Sequence, residues 1–259
     1  MTKSGVYRSL RLPVGPMPGP AIMQEYVFRK FSHLRSTITG EKICSNLADD
    51  FKISSASAAI HRSDVAQVLA AAEKCGFEFK LKKCWWNQSE VTLWGFVCDA
   101  LGRRTTPKKV EQLINWPVPQ TLLQLQGFMC FANYLREFLE PSSYLAALAV
   151  LSKFRKKHAD FQLFLNEPRC LEAFYSMRKC LCEKAVLHYP DFVAAAHPDE
   201  SGRPFEVFVD ASDYGWAGVL TQRMVPHGTP KIIAIVCHPL NATQQGWSAM
   251  ERELFALHG

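Results

Sequence analysis

The residues with chemistry to offer form two acidic groups and a set of lysines. Asp49 and Asp50 stand side by side in Ile43-Cys-Ser-Asn-Leu-Ala-Asp-Asp-Phe-Lys-Ile53. This pattern reads as a strand, a tight turn at the two aspartates and a return strand. Adjacent carboxylates on a hairpin tip repel unless a cation neutralises them; the plainer alternative is a solvated acidic turn. Further along, Phe205-Glu-Val-Phe-Val-Asp210 alternates like a strand, and Ala217-Gly-Val-Leu220 starts a second run. Asp210 closes the first strand beside a turn, a position that suits a hard cation, although most strand-end aspartates are turn or cap residues. Glu251 and Glu253 lie in the helical pattern Met250-Glu-Arg-Glu-Leu-Phe-Ala-Leu257. Lys80, Lys82 and Lys83 cluster after a glycine, Lys108 and Lys109 open a short helix, and Lys153-Phe-Arg-Lys-Lys157 adds a third basic group. Such clusters neutralise phosphates. Lysine is also the commonest guard of a strand edge.

Bulk properties set the outer limits. The chain has 259 residues, enough for one large domain or two to three small ones, and 48% hydrophobic residues, enough to fold. A net charge of +6 permits a polyanionic partner without demanding one. Nine cysteines, an odd count with no CxxC pair, point to reduced thiols in an intracellular rather than secreted protein, and scattered histidines without paired Cys/His clusters argue against zinc. No apolar run reaches the roughly 18 residues that span a bilayer, so no membrane partner is expected. The last residues, Leu254 to Gly259, fall inside a helix opening, and a truncated reading frame or fragment is the expectation.

The elements that must position these groups follow from periodicity. A Pro/Gly-rich loop over 10–20 precedes a helix from Ala21 to Leu34. Apolar spacing predicts a helix over Ala58–Cys75, ended by Gly76 as a C-cap. Strands are predicted at Phe77–Leu81 and Val91–Val97, with a turn at Asp99–Gly102. Thr106 and Pro107 start one short helix, and Thr121 caps a second that continues through Leu139 and is closed by Pro141-Ser-Ser143. Leu145–Leu151 and Pro168–Glu183 are helical, Val186–Phe192 is extended, and 194–204 reads as an insertion loop. Behind the strand pair at Phe205–Gln222, Lys231–Val236 reads as a fully buried strand, and Thr243 or Ser248 caps the last helix. Three strands and a helix suit the start of an α/β domain.

The pieces in this order resemble the pol polyprotein of gypsy-type LTR retrotransposons over roughly residues 10–257. Leu12-Pro-Val-Gly-Pro-Met-Pro-Gly-Pro-Ala-Ile-Met-Gln24 is similar to the family's loop and helix beneath the nascent base pair, and Leu47-Ala-Asp-Asp50 to its paired-aspartate turn. Gly76-Phe-Glu-Phe-Lys-Leu-Lys-Lys-Cys84 and Glu90-Val-Thr-Leu-Trp-Gly-Phe-Val97 resemble the strand and primer grip that follow. Pro107-Lys-Lys-Val110 through Trp116-Pro-Val-Pro119, then Asn133-Tyr-Leu-Arg-Glu-Phe138, resemble the thumb helices. Val186-Leu-His-Tyr-Pro-Asp-Phe192 resembles the tether, and Val209-Asp-Ala-Ser-Asp-Tyr-Gly-Trp216 with Glu251-Arg-Glu-Leu-Phe-Ala256 the start of a ribonuclease H domain.

The resemblance implies an α+β to α/β architecture. Residues 1–104 would be the C-terminal part of a reverse-transcriptase palm and 105–142 a helical thumb. Residues 143–204 would be a connection, and 205–259 the N-terminal part of an RNase H-like domain. It implies RNA-directed DNA polymerase and hybrid ribonuclease ancestry, with two-metal-ion chemistry on Mg²⁺ or Mn²⁺. Asp49, Asp50, Asp210 and Glu253 would be the metal ligands and catalytic carboxylates; Glu253 matches better than Glu251 because Leu-Phe-Ala follows it. Gly15, Gln24, Lys80, Lys82, Lys83, Trp94, Gly95, Lys108 and Lys109 would contact an RNA–DNA hybrid or primer–template duplex. The chain departs from the pattern in three ways. No Asp or Glu precedes Leu12, Leu47 replaces the aromatic residue usual in the turn, and two further aspartates would lie beyond Gly259. The expectation is therefore a catalytically incomplete piece of a retroelement polyprotein. The alternative is a non-enzymatic relic that binds nucleic acid or a protein.

Overall fold

The computed structural model describes residues 17–47, 50–180 and 186–258. Within it the chain divides into two compact units, with the division between Gln88 and Ser89.

The first unit begins with α1 (Gly19–Phe31), which has proline in its first turn, where no N–H is needed. The strands β1 (Cys44–Leu47) and β2 (Asp50–Ile53) pair antiparallel with Leu47 opposite Asp50. The long helix α2 (Ala58–Cys75) starts where the Ser57 hydroxyl accepts from the Ile60 N–H at 3.3 Å. It ends at Gly76, whose φ of 72° is the left-handed conformation a glycine C-cap supplies. Val27, Phe31, Ile43, Val68 and Ala72 form the core, with Phe51 edge-on to Phe31 at 4.8 Å and to Phe79 at 5.2 Å. The strand expected at Phe77–Leu81 does not form. Phe77 and Phe79 still turn inward at alternate positions, but among the described residues no strand pairs with them, and Leu81–Lys83 closes into one 3₁₀ turn.

In the second unit β3 (Val91–Leu93) and β4 (Phe96–Cys98) replace the single strand expected over 91–97. They form a hairpin with Leu93 opposite Phe96. The strand β5 (Gly102–Thr105) follows the predicted Asp99 turn, in which the Leu101 and Gly102 N–H groups donate to Asp99 Oδ1 at 2.8 and 3.1 Å. Next come α3 (Pro107–Ile114), which Thr106 precedes without a side-chain cap bond, and α4 (Leu122–Tyr134), which the Thr121 hydroxyl does cap. A 3₁₀ turn at Arg136–Phe138 leads to α5 (Pro141–Leu151). Pro141 therefore opens a helix rather than closing one. The Glu140 carboxylate accepts from the Ser142 and Ser143 N–H groups at 3.0 and 2.7 Å, and proline suits the first helical position. The helices α6 (Gln162–Asn166) and α7 (Pro168–Lys179) complete a core of Leu113, Leu125, Phe128, Leu151, Phe164 and Phe174.

The short strand β6 (Leu187–His188) joins β5, giving the order β3-β4-β5-β6. A Cβ on Gly102 would lie 2.2 Å from the Leu187 carbonyl oxygen, so this pairing requires glycine. The expected insertion loop folds instead into α8 (Phe192–Ala196) and α9 (Pro198–Ser201), the first capped by Asp191. A second antiparallel sheet, order β7-β8-β9, consists of β7 (Phe205–Ala211), β8 (Gly215–Arg223) and β9 (Pro230–Pro239). β9 is not fully buried: Ile235 and Cys237 enter the core while Val236 and His238 face outward, as in a sheet covered on one side. Among the described residues β7 pairs on one side only, and its Val207 and Phe208 are 63% and 57% exposed. The buried Gln222 amide ties β8 to the preceding segment. It accepts from the Asp191 N–H at 2.8 Å and donates to the Asp191 and Arg203 carbonyls at 2.8 and 3.0 Å. The chain ends with α10 (Ala242–Gln245) and α11 (Ala249–His258). No helix among the described residues is long and apolar enough to cross a membrane.

The Asp99 turn carries a pH signature. The Arg104 guanidinium first, then the Leu101 amide, hold the Asp99 carboxyl below the usual carboxylate range. A group whose pKa falls on folding stabilises the fold above its unfolded value, about 3.9, and loses that contribution as pH drops through the folded value. Asp99→Asn is expected to lower the urea midpoint at neutral pH and to converge on the parent in strong acid. A deficit of equal size at both extremes would show that charge is not the cause.

Candidate nucleic-acid interface and carboxylate pair

The two-residue link between β3 and β4 is conformationally costly. Trp94 and Gly95 both have positive φ, 50° and 76°, the arrangement of a type I′ turn. Glycine adopts it freely, but a bulky tryptophan does not, and such outliers persist only where the surroundings enforce them. Here α3 and α4 enforce it. The Tyr134 hydroxyl donates to the Trp94 carbonyl, and the Lys109 ammonium sits 4.0 Å from the Tyr134 ring centroid. A Cβ at position 95 would fall 2.6 Å from Lys109 Cε and 2.7 Å from the Tyr134 hydroxyl oxygen. Phe96 then stacks between Tyr134 and Phe138 at 5.1 and 5.3 Å, with the Arg103 guanidinium 5.0 Å over Phe96 and paired to Glu137.

The structure thus gathers Trp94, Gly95 and Lys109 from two separate segments, with Trp94 still 40% exposed. Lys108 is exposed on the same helix. Tyr134, which joins them, is not among the site residues expected from the sequence. Its sequence signals are its place in a predicted apolar helix and in the stretch Asn133–Phe138 that resembles a thumb helix.

The acidic residues behave differently. Asp50 is the exposed first residue of β2. Asp49 and Gly15 lie outside the described residues. Gln24 is half-buried on α1, and Lys80, Lys82 and Lys83 are exposed at and around the 3₁₀ turn. All of these belong to the first unit.

In the second unit Asp210 and Glu253 lie on β7 and α11, two elements that pack against each other. Asp210 is exposed near the end of β7, opposite Ala217, and Glu253 Oε1 accepts from the N–H of the next residue, Ala211, at 3.3 Å. Three local bonds set the phase of α11. The Ser248 N–H and hydroxyl donate to Glu251 at 2.7 and 2.8 Å, and Arg252 pairs with Asp213. Glu251 is consumed by this cap, whereas Glu253 faces the strand. Ala256 and Phe255 pack with Trp216, Val209 and Ala211 to hold the helix there. Two carboxylates match the hard-donor preference of Mg²⁺. Among the described residues, no group of three His, Cys, Asp or Glu is placed to hold a metal ion.

Residues 1–98 match the family model for reverse transcriptase (RNA-dependent DNA polymerase), and residues 167–258 that for an RNase H-like domain found in reverse transcriptase. The chain is 26% identical over 99% of its length to the retrovirus-related Pol polyprotein from transposon opus of Drosophila melanogaster, covering 24% of it. It is 27% identical over 98% of its length to the corresponding polyprotein from transposon gypsy of the same organism, covering 23%. The chain therefore spans about a quarter of the length of these relatives. Among solved structures it is similar to a foamy viral protease-reverse transcriptase in complex with ds DNA, with a TM-score of 0.68 at 22% identity, over 96% of this chain and 40% of that one. A second, in complex with RNA/DNA hybrid, has a TM-score of 0.64 at 22% identity, over 96% of this chain and 31% of that one. The fold is the mixed helix-and-sheet fold of these proteins.

The turn can be tested directly. Gly95→Ala is expected to cost about 1–2 kcal/mol from the left-handed backbone alone, before any clash with Lys109. Trp94→Gly removes strain and should leave stability unchanged or higher. Urea unfolding of both variants checks this, and a neutral Gly95→Ala would contradict the enforced turn.

Proposed function

We propose that this chain, which carries a reverse-transcriptase segment followed by an RNase H-like segment of the kind found in retroelement Pol polyproteins, binds an RNA–DNA hybrid or primer–template duplex. The grip is the surface where the Trp94–Gly95 turn meets Lys109. The observation that carries this reading is the enforced turn itself, because it fixes an exposed tryptophan and a basic helix start in one place. A rigid tip beside Lys108 and Lys109 suits a phosphate backbone, which lysines meet as point charges. The nucleic acids held by the similar foamy viral proteins, ds DNA and RNA/DNA hybrid, support the same class of ligand. Residues 1–104, 105–142, 143–204 and 205–259 take the parts of palm, thumb, connection and RNase H-like start in this reading.

Asp210 and Glu253 would hold a hydrated Mg²⁺ or Mn²⁺ ion, and Asp49 with Asp50 a second such site in the first unit. Bound ions of this kind activate an attacking oxygen and stabilise a leaving one. The chain's own contribution is positional. The Ala211 N–H fixes one Glu253 oxygen, and the Arg252–Asp213 pair keeps the helix in phase with the strand. A two-ion site needs more ligands than two carboxylates, so this reading takes the chain by itself as a binding module.

Two outcomes follow. Purified chain is expected to give no Mg²⁺-dependent cleavage of a labelled RNA–DNA hybrid on a denaturing gel; cleavage abolished by Asp210→Asn would overturn the binding-module reading. Hybrid affinity followed by fluorescence anisotropy is expected to fall steeply with salt, and Lys108→Ala should reduce the slope of log K against log[salt] by about 1. An absence of hybrid binding at low salt would remove the proposal.

A further inference from the structure

Residues 79–89 read Phe-Lys-Leu-Lys-Lys-Cys-Trp-Trp-Asn-Gln-Ser, three lysines and two tryptophans with no acidic residue among them. Trp85 is 81% exposed and Trp86 42%. A tryptophan that finds a partner buries on the order of 150–250 Å², so one this open has no partner in its own unit. The segment nevertheless has a defined shape. The Lys83 N–H donates to the Lys80 carbonyl at 2.8 Å and the Cys84 N–H to the Leu81 carbonyl at 3.0 Å. Asn87 takes a left-handed φ of 49°, which asparagine tolerates, and the Gln88 side-chain amide donates to the Trp86 carbonyl at 2.7 Å. Lys80, Lys82 and Lys83 are exposed, and none of them is ion-paired among the described residues.

We propose that this loop is a stacking platform for an unpaired base of a single-stranded nucleic acid, with Trp85 against the base and Lys80, Lys82 and Lys83 on the flanking phosphates. Aromatic faces interleaved with lysines are what sequence-tolerant single-strand binding requires. The strand must be unpaired, because bases inside a duplex already stack on their neighbours and offer no free face. The three uncompensated positive charges favour a polyanion over an apolar protein groove. The inference rests on the nucleic-acid reading above for the class of partner, but it assigns a different site and a different strand state. An anionic membrane surface shares the preference for tryptophan and lysine and is an outcome of the test.

The full chain is titrated with a labelled oligo(dT) of about 12 nucleotides, with an abasic oligomer of the same length, with an RNA–DNA hybrid, and with phosphatidylserine vesicles. The expected result is oligo(dT) binding with quenched tryptophan fluorescence. Trp85→Ala should weaken it about tenfold while hybrid affinity stays unchanged, and Trp85→Phe should retain most of it. The abasic oligomer should bind the parent chain as weakly as oligo(dT) binds Trp85→Ala. Equal oligo(dT) affinity in the parent and Trp85→Ala would overturn the proposal, as would equal loss of oligo(dT) and hybrid binding, or vesicle binding without oligo(dT) binding. Trp85-dependent oligo(dT) binding without hybrid binding would support this site and overturn the duplex grip instead. No binding to either nucleic acid would overturn both.

Discussion

The second unit depends on a turn that cannot relax. With Trp94 held left-handed, the chain carries a backbone cost on the order of 1–3 kcal/mol. The contacts that offset it are the ones that register sheet against helices: the Tyr134 hydroxyl on the Trp94 carbonyl, Lys109 over the Tyr134 ring, and Phe96 between Tyr134 and Phe138. Aromatic pairs contribute about 0.5–1.5 kcal/mol each beyond the area they bury. Glycine at position 95 is what lets these side chains approach, and once they have, β3, β4 and β5 have one place to lie against α4.

The carboxylate pair illustrates a different kind of control. Nothing in the sequence spacing places Glu253 Oε1 on the Ala211 N–H; the packing of α11 on β7 does. The phase of α11 is set by the Ser248–Glu251 cap and by Arg252 reaching Asp213, and Ala256 is small enough to let the helix settle against Trp216. Arg252 is the neighbour of a proposed ligand, and its contribution is the rotation of the helix.

Much of this is legible in the sequence. The span of α2 with its glycine end, the Thr121 cap, the Asp99 turn and the β7–β8 hairpin follow from periodicity and turn chemistry. What is not legible depends on partners remote in sequence. Phe77–Leu81 has the alternation of a strand and, among the described residues, no strand to pair with. Trp94 is a strand former by type and a turn residue in fact, because Tyr134 and Lys109 override its propensity. Pro141 ends one pattern and begins another, and only the Glu140 carboxylate on the Ser142 and Ser143 amides shows which. The residues after Glu253 favour it over Glu251, and the two glutamates do occupy different environments, one in a cap and one against the strand.

The open side of β7 has a consequence of its own. Among the described residues no strand pairs with its outer edge, where Val207 and Phe208 are exposed, although the Ala211 N–H at its end is taken by Glu253. Natural sheets blunt such edges because another copy can add to them. An edge of this kind is a template for a further strand, and a charged side chain in place of Val207 would discourage such pairing.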